Sequence, residues 1–193
     1  MNVYDFDKTI YKKDSSIEIY IYVIKKRPLI LFQCLPGQIK AAWDYKQKKI
    51  SKEQWKEQYF SFFRYINMDE ILDEFIKKEV NNVALWYLEQ KKESDIIISA
   101  SPEFIVSAFA EKLDIKNVIA SKVDKNSGKF VGKNCYGKEK VKRFLEQYPS
   151  EKVDEFYSDS KTDYPMAKLA QNAYLIKGKG IFMWRRKWNG LNK

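Results

Sequence analysis

The sequence predicts an α/β protein: a mostly parallel sheet with helices on both faces, and an all-helical cap inserted after the first strand. Three observations point there. Short apolar, β-branched runs within "NVYDFDKT" (2–9), "SDIIISAS" (94–101), "VDEFYSD" (153–159) and "NAYLI" (172–176) alternate with segments of helical spacing, the pattern of strands joined by crossover helices. Three of those runs end in Asp5/Asp7, Ser99 and Asp159, and chemistry in such sheets gathers at the carboxyl ends of the strands. Residues 12–88 carry helical periodicity with no convincing strand, so they divide a core of residues 1–11 and 89–193 from a cap of residues 12–88.

Taken in order, the first strand ends in carboxylates. Asp14, Ser15 and Ser16 then give a helix-start signal before Ile17, Tyr20, Ile21 and Ile24, since short polar side chains satisfy the free N–H groups of a first turn. Pro28 and the "LPG" at 35–37 punctuate the next stretch. Helical spacing resumes through Trp43, from Ser51 to Tyr65, and from Asp69 to Gln90, where Leu72, Phe75, Ile76, Val80, Val83 and Tyr87 share a face. After the second strand, Ser101 is a candidate N-cap with Pro102 in a first turn, and the helix runs to about Leu113. "NVIASKV" and "KFVG", separated by "KNSG", read as a strand pair. "YGKEKVKRFLEQY" is a helix, "TDYPMAKLA" a short one, and "NAYLI" the last strand.

Composition limits the functions available. With 193 residues, 45% of them hydrophobic, the chain has ample material for a core. It has no histidine, which excludes histidine phosphatases, Ser-His-Asp hydrolases and typical zinc hydrolases. It also lacks a Gly-rich P-loop. Cys34 and Cys135 fit no metal spacing and read as free thiols of a reducing compartment. A strand beginning at Val3 leaves no room for a leader and no apolar run approaches a membrane span, so a cytoplasmic protein is expected. The net charge of +10 is concentrated in residues 12–68 (12 basic, 5 acidic) and residues 176–193 (6 basic, none acidic). Such segments suit a polyanion and also suit a plain solvated surface.

Alone, "DFDKT" is two carboxylates that stay ionised side by side only with a cation between them. An acid-rich turn is the competing reading. Together, "DFDKT", "IIISAS", "GKEK" and "YSDSKTD" resemble the four motifs of the haloacid-dehalogenase-like hydrolases, in the same order, from Asp5 to Asp163. The resemblance implies a Rossmann-like core and phosphate-ester hydrolysis through an aspartyl-phosphate. Asp5 would be the nucleophile and Asp7 the general acid and base. Mg²⁺ would be held by Asp5, Asp159 and the Asp7 backbone carbonyl. Ser99, with backbone N–H groups of Phe6 and Ala100, would bind phosphoryl oxygens. Asp163 would support the metal site, and Thr9 closes the first motif. For the motif lysine, Lys138 and Lys140 compete, and the "G-x-x-K" spacing of the family's helical subgroup selects Lys140.

The inserted segment resembles the cap of the phosphoserine-phosphatase-like subgroup. There an acid nine residues after the nucleophile contacts substrate; here that position is Asp14, which also reads as a helix cap. Arg64 is a candidate for a substrate carboxylate. The expected substrate is a small phosphorylated metabolite such as a phosphoserine-like compound. The segments "KKRPLILFQCLPG", "SASPEFIV", "CYGKEKV" and "YSDSKTDYPM" are similar to phosphatidylglycerophosphatase C and its bacterial relatives, which makes a lipid headgroup phosphate the alternative. On that alternative the apolar residues of 17–35, with Lys25, Lys26 and Arg27, and the tail carrying Phe182, Trp184, Arg185, Arg186, Lys187 and Trp188 would lie against an anionic membrane. A non-catalytic basic binding protein is the third reading; it gives no reason to hold six motif residues together, and no nucleic-acid partner is expected.

Overall fold

The computed structural model describes residues 1–184; Arg185, Arg186, Lys187 and Trp188 lie outside the described residues. Five strands run parallel: β1 (Asn2–Tyr4), β2 (Ile96–Pro102), β3 (Asn117–Ser121), β4 (Val153–Ser158) and β5 (Ala170–Lys177). A sixth, β6 (Gly180–Met183), folds back antiparallel on β5 and was not expected. The order is β3-β2-β1-β4-β5-β6. β1 is therefore flanked by strands whose connections leave in opposite directions, the switch point where open α/β sheets form a crevice.

Side chains of these strands alternate between two cores, as the twofold period of a strand requires. Val3, Ile96, Ile98 and Phe156 pack with Phe144 of α7 (Lys138–Gln147) and Met166 of α8 (Tyr164–Ala167). Tyr4, Ile97 and Tyr157 face the other core, which includes Val106 and Phe109 of α6 (Glu103–Lys112). Cys34 and Cys135 are both free and buried.

The helices between β1 and β2, the segment expected to form a cap, share the second of these cores. That segment comprises α1 (Ser15–Lys26), α2 (Leu29–Lys46), α3 (Lys52–Tyr59), a 3-10 segment (Phe60–Tyr65), α4 (Met68–Glu79), a 3-10 turn (Val80–Asn82) and α5 (Leu85–Gln90). Asp14 caps α1 by accepting from the Ile17 N–H at 3.1 Å. Ser51 and Gln54 form a reciprocal capping box on α3. Aromatic rings connect cap to core: Phe75 meets Phe109 edge-on at 6.1 Å, and Phe63 meets Phe104 at 5.6 Å, the tilted geometry that ring quadrupoles favour.

Four expectations need correction. "LPG" does not end a helix: Pro36 and Gly37 lie inside α2. Pro36 forfeits one backbone bond, while Ile30, Cys34 and Ala41, on both sides of it, anchor the helix to the core. The helical pattern at 69–90 is two helices, because Val83 is extended and bridges Tyr11. "KFVG" contributes only an isolated bridge, Val123 to Phe130. Ser101 is not an N-cap: β2 continues to Pro102, which precedes α6.

The turn after β3 shows why its glycine is needed. Gly128 has φ of +74°, and a Cβ there would stand 2.4 Å from the Phe60 carbonyl oxygen of the cap. Gly128→Ala should destabilise the protein by about 2 kcal/mol. Calorimetry should then show a melting temperature lower by about 5 °C.

Candidate active site

The crevice at the switch point holds a cleft of about 490 Å³, lined by Asp5, Asp7, Ser99, Ala100, Lys140, Asp159 and Asp163 from the sheet side and by Asp14, Ile17, Lys52, Trp55 and Lys56 from the cap. Asp5 and Asp159 reach it directly after β1 and β4, Ser99 and Ala100 from within β2, and Lys140 from the first turn of α7.

Asp5 comes immediately after β1, anchored by its N–H donating to the Tyr157 carbonyl at 2.8 Å. Phe6 turns its ring into the core, stacked on Tyr11 at 5.5 Å. Only its backbone is therefore placed to serve the phosphate role the resemblance implies. The Phe6 carbonyl accepts from Thr9 and Tyr11 N–H groups, and Lys8 takes a left-handed φ of +56°. The chain thus turns after Asp5 instead of running on as flat strand. Strain of this kind is held only where the surroundings over-determine it.

Of the two competing lysines, Lys140 is the one that lines the cleft. Its ammonium is buried and donates to Asp5 Oδ1 at 2.6 Å and Asp163 Oδ2 at 2.6 Å, whereas Lys138 is exposed. Gly137, at φ +57° and ψ −119°, starts α7 in a conformation side chains resist, which sets the "G-x-x-K" spacing. Asp163 also accepts from Ser158 Oγ at 2.9 Å. Burial works against the charge on Lys140, but Asp5 and Asp163 outweigh it and hold the group well above the ordinary ammonium range.

Two carboxylates against one ammonium leave net negative charge in a buried place. Burial pushes the Asp5 carboxyl up to about 7; Lys140 pulls it down and Asp163 adds to the rise. Burial also raises Asp159, with Lys8 working against it. Thr9 ties the two together: its hydroxyl donates to Asp5 Oδ2 at 3.3 Å and accepts the Asp159 N–H at 2.9 Å. Among the described residues no three acidic or thiol side chains gather into a metal cage. Asp5 and Asp159 line the same cleft, and the set that the resemblance implies would be their carboxylates with the Asp7 carbonyl. This all-oxygen set, under-neutralised by the protein, fits a hard cation such as Mg²⁺ and does not fit a soft one.

Asp7 is held from two sides. Its Oδ1 accepts the N–H of Ser15, first residue of α1, at 2.6 Å, and its Oδ2 accepts Ser101 Oγ at 2.5 Å. Burial raises its pKa and Asp14 adds to the rise, against these two bonds. A proton donor suits that environment. Ser101, expected only to cap a helix, is therefore part of the site. Ser99, buried within β2, accepts the Ser101 N–H at 3.1 Å, so its own O–H is available to donate to an anion.

On the cap side the structure replaces one candidate by another. Arg64 is exposed on the 3-10 segment whose Phe60, Phe62 and Phe63 turn inward, and it does not line the cleft. Lys56, which the sequence did not single out, does. Its ammonium donates to the Ala100 carbonyl at 2.8 Å and to Asn134 Oδ1 at 3.4 Å. Burial, then Lys52, pull its pKa down to about 8, against Asp7 and Asp14. Asp14 lines the cleft as well as capping α1.

Residues 3–168 match the family model for haloacid dehalogenase-like hydrolases. No curated protein matches the chain. Among solved structures, a protein of unknown function from Bordetella pertussis Tohama I superposes with a TM-score of 0.72 at 14% identity, over 90% of this chain and 87% of that one. A phosphoserine phosphohydrolase-like protein from Francisella tularensis subsp. tularensis SCHU S4 gives 0.57 at 20% identity, over 90% and 86%. A probable phosphoserine phosphatase from Vibrio cholerae gives 0.58 at 15% identity, over 89% of this chain and 55% of that one.

Lys140→Met should leave Asp5 and Asp163 buried and unpaired, costing about 3 kcal/mol in urea unfolding. Lys138→Met should stay within about 0.5 kcal/mol of the parent.

Proposed function

Since the chain belongs to the haloacid dehalogenase-like hydrolases, we propose that it is a Mg²⁺-dependent phosphomonoesterase acting through a phosphorylated Asp5. The observation that carries this reading is the buried Asp5–Lys140–Asp163 array at the switch point, with Asp7 and Ser99 opening on the same cleft.

Asp5 Oδ1 is fixed by Lys140, while Oδ2, among the described residues, accepts the long bond from Thr9. Its carboxylate attacks phosphorus, and the bond from phosphorus to the ester oxygen breaks. Asp7 gives its proton to the departing oxygen. Asp7 then takes a proton from water, the water oxygen attacks phosphorus, and the bond to Asp5 breaks to release inorganic phosphate and restore the carboxylate. Ser99 and Lys140 supply the hydrogen bonds and positive charge that phosphoryl transfer requires. A bound Mg²⁺ would add charge at the phosphoryl oxygens.

The substrate reading is a small acidic phosphomonoester. A cleft of about 490 Å³ is sized for a metabolite, and Lys52 and Lys56 offer a second cationic contact beyond the phosphate, as a phosphoserine-like carboxylate would use. The phosphoserine phosphohydrolase-like neighbour from Francisella is consistent with this.

Hydrolysis of p-nitrophenyl phosphate should require Mg²⁺ and stop with EDTA, and Asp5→Asn should lower it by on the order of 10³-fold or more without loss of folding. Activity retained in Asp5→Asn would overturn the nucleophile assignment. Lys56 gives a pH test. Its folded pKa of about 8 lies below the ordinary 10.5, so the ammonium is present below pH 8 and lost above it. KM for phosphoserine should rise as pH passes 8, and Lys56→Arg should keep it flat.

A further inference from the structure

α2 is apolar on two opposite sides. Ile30, Cys34 and Ala41 are buried against the rest of the protein. Leu29, Phe32, Ile39 and Trp43, spaced three, seven and four residues apart, form a second stripe on the far side of the helix, and they are 74%, 77%, 60% and 61% exposed. A helix apolar all round is normally buried on all sides, and a continuous exposed apolar stripe marks a surface that something covers.

The surroundings of the stripe say what that is. Residues 25–49 hold seven basic side chains, Lys25, Lys26, Arg27, Lys40, Lys46, Lys48 and Lys49, against one acid, Asp44. Lys26 is engaged by Glu74; all seven are exposed. A second copy of the chain seated on this face would bring the same cations against themselves, because a twofold interface pairs a patch with its own image. An anionic lipid surface meets both features at once: its acyl boundary accepts Phe32 and Trp43, and its headgroups accept the lysines. No helix of the described residues is long and apolar enough to cross a membrane. At 18 residues α2 spans about 27 Å, a length suited to lying flat.

We propose that the outward face of α2 docks the protein on anionic bilayers. Tyr45, on the inward side of the same helix, stacks at 5.5 Å on Trp55, which lines the cleft.

The test uses the full chain, with its basic tail kept in every variant. Co-sedimentation with vesicles of phosphatidylcholine mixed with phosphatidylglycerol should show at least about tenfold stronger partitioning than with phosphatidylcholine alone, and the difference should shrink as salt rises. The double variant Phe32→Ser/Trp43→Ser should lose at least about tenfold of that partitioning. It should keep the parent's melting temperature and rate on p-nitrophenyl phosphate, since neither residue touches the cleft machinery. A charge-reversed Lys25→Glu/Lys40→Glu variant should lose binding to the same extent. Equal partitioning on both vesicle types, or binding unchanged in the double variant, would overturn the proposal, as would a lipid-free dimer that the double variant abolishes. Absence of phosphatase activity with lipid binding intact would instead count only against the catalytic reading.

Discussion

A single buried ammonium organises this protein's catalytic edge. Lys140 reaches from the start of α7 to sit between carboxylates that follow β1 and β4, and it neutralises part of a charge cluster that burial would otherwise force to protonate. Burying ions is costly unless each is paired and hydrogen-bonded. The surroundings meet that condition through Ser158 on Asp163 and Thr9 on Asp5. Because one carboxylate charge is left over, the arrangement favours a further cation at the same place. The pairing that stabilises the strand ends also leaves the negative charge that the proposed Mg²⁺ would meet.

The cap is attached by a different physics. Its contact with α6 is mostly rings: Phe63 with Phe104, and Phe75 with Phe109. Phe60 also supports the approach of the Gly128 turn, so the cap touches the core on either side of the cleft. These contacts place α3 so that Lys56 reaches the end of β2, giving the cleft a cationic wall that the core alone does not provide.

Much of this was legible beforehand for physical reasons. Buried parallel strands have to be apolar and β-branched, so β1, β2 and β4 stand out, and chemistry at their ends shows as Asp5, Ser99 and Asp159 directly after apolar runs. Gly137 advertised Lys140 because only glycine readily takes that backbone conformation. What stayed hidden depended on contacts distant in sequence. Ser101 looks like a capping residue until Asp7 is seen across from it, and Lys56 looks like one more surface lysine on a polar helix. Arg64 was misjudged because a 3-10 winding, not an α-helix, sets the direction of its segment. The run at 69–90 kept helical spacing across Val83, where pairing with Tyr11 overrides local preference. Pro36 and Gly37 read as a stop because propensity carries no information on how firmly flanking residues are anchored.

The bond from the Ser15 backbone to Asp7 has a further implication. Asp7, to which the proposed mechanism gives a proton to shed and regain, is gripped by the first residue of the cap as well as by Ser101 of β2. Lifting α1 away would remove a donor that favours the ionised form and, at the same time, admit water that relieves the burial favouring the protonated one. The proton affinity of Asp7 is thereby tied to whether the lid is seated. A chamber closed over its ester and one standing open to solvent would differ in their acid chemistry even with the same residues present.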